Sequence, residues 1–424
     1  MMDTALVHVT VQPVSSSERV EYIDVLRGFA LYGVLLANII WMACDMALTP
    51  AAARQMPTHH LDRVVKYLVV FFVDGKFITL FSFLFGVGFT IQMQRVLQRG
   101  GNGVVVYARR VAVLIVIGMA HLVFIWFGDI LVVYGVLGLL LLATRRWRPG
   151  TPMLVVACLL ILLTRVTFMS VQHAVAHGTP PQPAASHPTD DTQRRTLQAF
   201  RSDYPAVVRQ NISIYWNDLF GAGIVMVLAG QVFGRFLLGL YVGKRECLHR
   251  ITAYEPQLRR ALPWMLVIGV IGVIGNGASV AAEWARDARG VSGDNIWMML
   301  LQPPIEAGVV SLSAFYAASV SLLLRNAHWG PVLARLAPVG RMALTNYLTQ
   351  SLVYLFVLTG TGLSLIGHIG ATLCLAISVV VFGVQVAFSG WWLRRHRFGP
   401  AEWLWRSLTY GQVQLMRRDG TTAE

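Results

Sequence analysis

Apolar residues run through this chain in long blocks, with no period-two alternation to suggest strands. The blocks fall near 26–44, 66–93, 108–127, 130–144, 152–171, 220–242, 262–282, 299–324, 343–366 and 369–392. A helix rises about 1.5 Å per residue, so a block of about 20 crosses the ~30 Å hydrocarbon layer of a bilayer. The pattern predicts an all-α fold, a polytopic transmembrane helix bundle of about ten spans. The block at 66–93 is interrupted by Asp74, Gly75 and Lys76, which predicts a tilt, a break or a shorter span. The block at 130–144 is the shortest, and only Gly128 and Asp129 separate it from 108–127.

Composition agrees with that reading. Hydrophobic residues fill 55% of the 424 positions and charged residues 13%, roughly half the charged share of soluble domains. In a soluble chain the formal charge of +14 would raise nucleic acid as a partner. Here the basic residues cluster between apolar blocks, as in cytoplasmic loops, so the expected partner is the lipid bilayer and no nucleic acid. The clusters sit on alternate connections: Arg95 to Arg110, Arg145 to Arg148, Lys244 to Arg260, Arg325 to Arg341 and Arg394 to Arg418. This asymmetry predicts both termini in the cytoplasm.

The domain reading follows. Residues 1–18 read as a disordered cytoplasmic tail, 19–411 as a single transmembrane domain, and 412–424 as a second cytoplasmic tail. An outer loop is expected at 172–218, Pro-rich at first, with a surface helix from Thr192 to Val208. No apolar signal-peptide core precedes the first span, which then doubles as the insertion signal. Cys44, Cys158, Cys247 and Cys374 form no CxxC pair, so no metal site and no disulfide framework is implied.

Polar groups inside spans are costly unless they face the bundle interior, and so they are the candidates for function. Asp24 and Arg27 share one helical face at the cytoplasmic mouth of the first span, where an ion pair that anchors the helix is the plainer alternative. Asn38 lies about 21 Å further along the same helix. Asp74 and Lys76 flank a glycine ahead of a Phe-rich helix, and suggest charges turned to a polar cavity or to each other. Gly86 and Gly88 beyond them permit close helix packing.

His121 lies deep in the third span, with Asp129 about 12 Å on and about 80° round an ideal helix. A turn at Gly128 would fold the carboxylate back to the imidazole, the usual way to make a general base near neutral pH; Tyr134 follows. Arg341, Thr345, Asn346 and Gln350 repeat at four or five residues and predict a polar stripe fit for an anionic ligand. The segment from Phe398 to Arg406 reads as an interfacial anchor. Motifs of the common soluble enzymes, such as Walker A, HExxH and GxSxG, are absent from the sequence.

Five stretches occur in a familiar order: RVEYIDVLRGFALYGVLLANI, GKFITLFSFLFGVGF, GMAHLVFIWFGDILVVYGVLGL, VGRMALTNYLTQSLV and FGPAEWLWRSLTYG. Together they resemble the YeiB-like family of bacterial inner-membrane proteins, domain of unknown function 418, over nearly the whole chain. That resemblance implies a multi-pass protein of the bacterial inner (plasma) membrane. The Asp-x-x-Arg-Gly opening is also similar to that of two transmembrane acyltransferase groups, acyltransferase-3 and the heparan-glucosaminide N-acetyltransferases. Those families move an acyl group from cytosolic acyl-CoA to a glycan hydroxyl or amine across the membrane, and Asp24 and Arg27 match their shared motif. The acyltransferase-3 histidine falls at Asn38 here. The heparan enzymes also have asparagine there and carry their histidine in the next outer loop, where this chain has His59 and His60, further along than that spacing.

The resulting expectation is acyl transfer from a cytosolic acyl-CoA-like co-substrate, with no bound cofactor, to a glycan, lipid or small-molecule acceptor. His121 would be the base, oriented by Asp129, with Asn38 an oxyanion donor and His59 or His60 alternative bases. Asp24, Arg27, Asp74, Lys76, Tyr134, Arg341, Asn346 and Gln350 would bind donor or substrate. A transporter or exporter of a small or lipid-linked molecule is the alternative, a membrane scaffold or sensor the third. Homo-oligomerisation stays open.

Overall fold

The computed structural model describes residues 21–48, 50–98, 100, 102–178, 190–246, 254–287 and 296–418. The expected tail 1–18, most of the Pro-rich stretch and the last residues of the C-terminal tail lie outside the described residues. The helices that matter here are α1 (Glu21–Ile40), α2 (His59–Phe72), α3 (Lys76–Gln98), α4 (Gly103–Phe124), α5 (Leu131–Ala143), α6 (Thr151–Gly178) and α7 (Asp190–Arg201). They continue with α8 (Tyr204–Ser213), α9 (Ile224–Lys244), α10 (Glu255–Asp287), α11 (Ile296–Leu323), α12 (Ala343–Val353), α13 (Ala371–Arg395) and α14 (Pro400–Tyr410). The fold is all-α; the bridge between His396 and Arg417 is the one β contact among the described residues.

Eight helical stretches among the described residues are long and apolar enough to cross a membrane. They match eight of the expected blocks. The other two are shorter. Helix α5 has 13 residues, about 20 Å of rise. Block 343–366 is helical only to Leu358, through a π-turn at Tyr354–Leu358, after which the chain doubles back. The expected surface helix forms as two, α7 and α8, because Asp203 restarts the helix by accepting from Ala206 N at 3.0 Å. Helix α6 runs on into the expected loop, since VQHAVAH carries no breaker before Gly178.

Helix α1 is the axis of the bundle. Its buried residues Val25, Leu26, Ala30, Leu31, Leu35 and Ile39 lie on more than one face, the mark of a helix enclosed by others. Around it stand α3, α12, α13 and the short helix Ala337–Arg341. Close approach depends on glycine at a few points. A Cβ on Gly340 would strike the Asp24 carbonyl, and Cβ atoms on Gly86 and Gly239 would strike the facing backbones of α9 and α3. The expected packing role of Gly86 is thus realised against α9. Gly88 instead leaves room for the Arg27 guanidinium, 3.1 Å from where its Cβ would stand.

The interrupted second block is a genuine break. Helix α2 ends at Phe72, Gly75 takes the left-handed conformation at φ +77°, and α3 begins at Lys76. A second buried polar contact ties the outer helices: Arg235 Nη2 on α9 donates to Glu306 Oε2 on α11 at 3.1 Å.

Candidate functional site: a cavity with a basic mouth

A cavity of about 850 Å³ lies beside α1, walled also by α2, α3, the α4–α5 turn, the start of α9, α12 and α14. Arg27 and Asp45 both line it, and 18 residues of helix and π-turn separate them, about 27 Å. The cavity therefore runs most of the depth of a bilayer.

One end is basic. Arg27, Arg95, Arg110, Arg341 and Arg406 line it, against the carboxylates Asp24 and Glu402. Arg27 Nη1 reaches Asp24 Oδ1 at 3.3 Å, the expected i, i+3 pair. Arg110 lies within interaction range of Arg27 and Arg406, and its guanidinium stacks 4.1 Å over the Trp405 ring. Trp405 Nε1 in turn donates to the Arg110 carbonyl at 2.8 Å. Helix α14 is thus pinned across the mouth, and the segment expected as an interfacial anchor forms part of the cavity wall.

Glu402 fixes that arrangement. Its Oε1 accepts from Leu344 N at 2.6 Å and Thr345 N at 3.1 Å, and its Oε2 accepts from Thr345 Oγ1 at 2.6 Å. A carboxylate from α14 so caps the first turn of α12. Burial pushes the Glu402 carboxyl above its ordinary value, and the bonds from Thr345 and Leu344 pull it back part of the way.

The far end is aromatic and acidic. Asn38, Trp41, Asp45, Asp74, Trp126 and Tyr215 line it. Asn38 and Asp74 therefore sit where a ligand would meet them. Lys76 does not: Gly75 swings it away, and its buried Nζ donates to the Val70 carbonyl at 2.7 Å. No Asp74–Lys76 ion pair forms among the described residues. Tyr134 lines the middle of the cavity, with its hydroxyl 2.7 Å from Ser82 Oγ.

Helix α4 ends at Phe124, and the turn through Gly128 brings Asp129 back to His121: Nδ1 and Oδ1 are 2.8 Å apart. A carboxylate only accepts, so Nδ1 carries a proton, and in the neutral imidazole Nε2 is then the acceptor. Asp129 Oδ2 accepts from Val132 N at 2.8 Å and caps α5. Gly118 makes room, because a Cβ there would stand 3.0 Å from Asp129 Oδ2. His121 is 1% exposed, and its Nε2 has no partner. Its ring does not line the cavity. Trp126 and Tyr347 stand between, at ring distances of 6.4 and 5.2 Å from His121, and both line the cavity. Trp126 Nε1 and the Tyr347 hydroxyl are likewise buried without a partner.

The remaining candidates lie elsewhere. His59 and His60 open α2, in ring contact with each other at 5.4 Å and outside the cavity lining; His59 Nδ1 is 3.1 Å from the Ala53 carbonyl. Asn346 donates to Val339 O and Ser389 Oγ at 3.1 and 3.0 Å, and Gln350 donates to Gln385 Oε1 at 2.9 Å. The expected stripe is therefore split: Arg341 joins the basic mouth, Thr345 serves Glu402, and Asn346 with Gln350 form a ladder that joins α12 to α13. Arg95, Arg110, Arg406, Trp126 and Tyr347 were not among the sequence candidates. Arg95 and Arg110 carried a signal, as basic residues at the ends of spans.

Comparison with known proteins adds a family and no activity. A sequence profile described as "Protein of unknown function (DUF418)" matches residues 242–412. "Uncharacterized protein YxaH" of Bacillus subtilis strain 168 is 33% identical over 95% of this chain and 96% of its own length. "Uncharacterized 39.9 kDa protein in amylase 3'region" of Bacillus acidopullulyticus is 30% identical over 94% and 96%. "Uncharacterized protein YeiB" of Escherichia coli K12 is 29% identical over 92% and 96%. No solved structure gives a significant match.

Proposed function

We propose a function from the premise that this chain belongs to the DUF418 family: it is a membrane-embedded acyltransferase whose donor is an acyl-CoA-like anion. The observation that carries the reading is the basic mouth of a cavity about 850 Å³ in size. Five guanidiniums against two carboxylates suit a ligand with several phosphates, which guanidinium binds in bidentate fashion. The clustered Lys and Arg residues of the loops favour placing that mouth on the cytoplasmic side of a bacterial inner membrane.

The acyl thioester would extend from the mouth towards Asn38, which lines the far end of the cavity and whose side-chain amide would stabilise the oxyanion. The acceptor hydroxyl or amine attacks the thioester carbonyl, the C–S bond breaks, and a C–O or C–N bond forms. His121 Nε2 takes the acceptor proton and returns it to the leaving thiolate. Trp126 and Tyr347 must part to open that route. Asp129 holds the imidazole in the tautomer that leaves Nε2 bare.

Purified protein in nanodiscs, given radiolabelled acetyl-CoA, tests the reading. Saturable binding is expected, weakened by Arg27→Glu, with thioester cleavage lost in His121→Ala. Binding indifferent to Arg27→Glu, or cleavage unchanged in His121→Ala, sinks it. The absence of the His121 ring from the cavity lining, where Asp129 does appear, favours one other reading, passage of a small or lipid-linked molecule through the cavity without covalent chemistry. Counterflow in proteoliposomes that His121→Ala leaves intact would favour that reading.

A further inference from the structure

The far half of the cavity is not closed on all sides. On α2, Arg63, Lys66, Tyr67 and Val70 recur at three- and four-residue spacing and all line the cavity, as one helical stripe does. A wall residue of a closed cavity has its outer side covered. Tyr67 and Ile224 line this one and are still 50% and 49% exposed. Gly277 of α10 also lines it, and nothing stands within 4 Å of where its Cβ would be. All three belong to helical stretches of membrane-spanning length, and they mark a gap between α2, α9 and α10 on the outside of the bundle.

We propose that this gap is a lateral portal, and that the far half of the cavity takes an anionic amphiphile whose chain enters from the bilayer. The chain lies along Val70, Val73, Val225 and Leu228, which line an apolar wall. The headgroup sits at the rim. Lys66 is held by Asp45 at 2.5 Å, which leaves Arg63 as the cation for a phosphate or carboxylate. The inference names the acceptor class for the proposed transfer and rests on that cavity being the substrate site. It reads occupancy and not turnover, so transfer to a soluble acceptor would survive its failure.

The test uses nanodiscs of phosphatidylcholine doped with a phosphatidylglycerol that carries a diazirine at the end of one chain. After photolysis, adducts are mapped by peptide mass spectrometry. Adducts are expected at Phe81 and Leu228 inside the cavity, as well as at outward Val116 and Leu159. Gly277→Trp, which fills open space and spares the core, should lower the inner adducts about tenfold and leave the outer ones unchanged. Arg63→Glu, or the same diazirine on phosphatidylcholine, should lower the inner adducts alone. Adducts confined to outward residues, or inner adducts indifferent to Gly277→Trp, overturn the portal. Inner adducts equal for both lipids and unmoved by Arg63→Glu overturn the anionic headgroup.

Discussion

His121 and Asp129 meet across eight residues of chain, while Arg235 and Glu306 meet across 71. Both pairs are buried, at 2.8 and 3.1 Å. The first is made by one turn between two helices, and it leaves the imidazole Nε2 bare beside two rings of the cavity wall. The second ties α9 to α11, and neither of its members lines the cavity. Burial and charge alone do not tell a functional pair from an architectural one. Each pair leaves one buried nitrogen without a partner, His121 Nε2 and Arg235 Nε. The difference lies in the neighbours: the imidazole packs against two rings that line the cavity, while the ion pair joins two helices.

The comparison breaks most readily at the tie. Glu306→Ala leaves the Arg235 guanidinium buried without its carboxylate, which should cost about 3–5 kcal/mol, while Arg235→Met with Glu306→Met recovers most of it. Thermal unfolding in detergent measures this, and a single variant as stable as the double would remove the tie's structural role. At the dyad the expected loss is in turnover. His121→Asn keeps a donor for Asp129, so stability should fall by no more than about 1.5 kcal/mol, while acyl transfer should fall about 10²–10⁴-fold.

Glu402 sharpens the contrast through pH. Its folded carboxyl titrates above its unfolded value near 4.5, so the native state binds the proton more tightly. Stability from this group is full below that value and declines as pH rises through the folded one. Unfolding temperatures across this window should show the decline in wild type and its absence in Glu402→Gln. The smallest effect belongs to Lys66 and Asp45, whose side chains are 42% and 45% exposed. Lys66→Met should change stability by less than about 1 kcal/mol, and less still in high salt.

How far each pair was legible in the sequence follows the same division. His121 and Asp129 were found because a His near the end of a span, a Gly-Asp turn and a following apolar block are all local. Arg235 stood out inside an apolar block, but Glu306 lies behind Pro303 and Pro304 in another helix, and no local pattern joins the two. Asn346 and Gln350 were assigned to a face correctly and to a neighbour incorrectly: periodicity says which side of a helix is polar, not that Gln385 and Ser389 cover it. Block 130–144 was read as the shortest and forms with 13 residues, while block 343–366 was read too long because apolar length does not record where a chain turns back. Asp74 and Lys76 looked like partners because they are two residues apart, and the left-handed Gly75 between them sends them to different places.

The glycine contact between α3 and α9 has a mechanical consequence. With backbone against backbone at Gly86 and Gly239, no layer of side chains separates those helices to slip or change rotamer. The two must travel as one beam. Helix α2 joins the beam through the left-handed turn at Gly75 and the bond from Lys76 to Val70. Asp62 latches its start to α13 by accepting from Thr372 N at 2.8 Å. Widening of the cavity is then a door that turns at Gly75 once its latch at Asp62 lets go, and its frame is the α3–α9 beam.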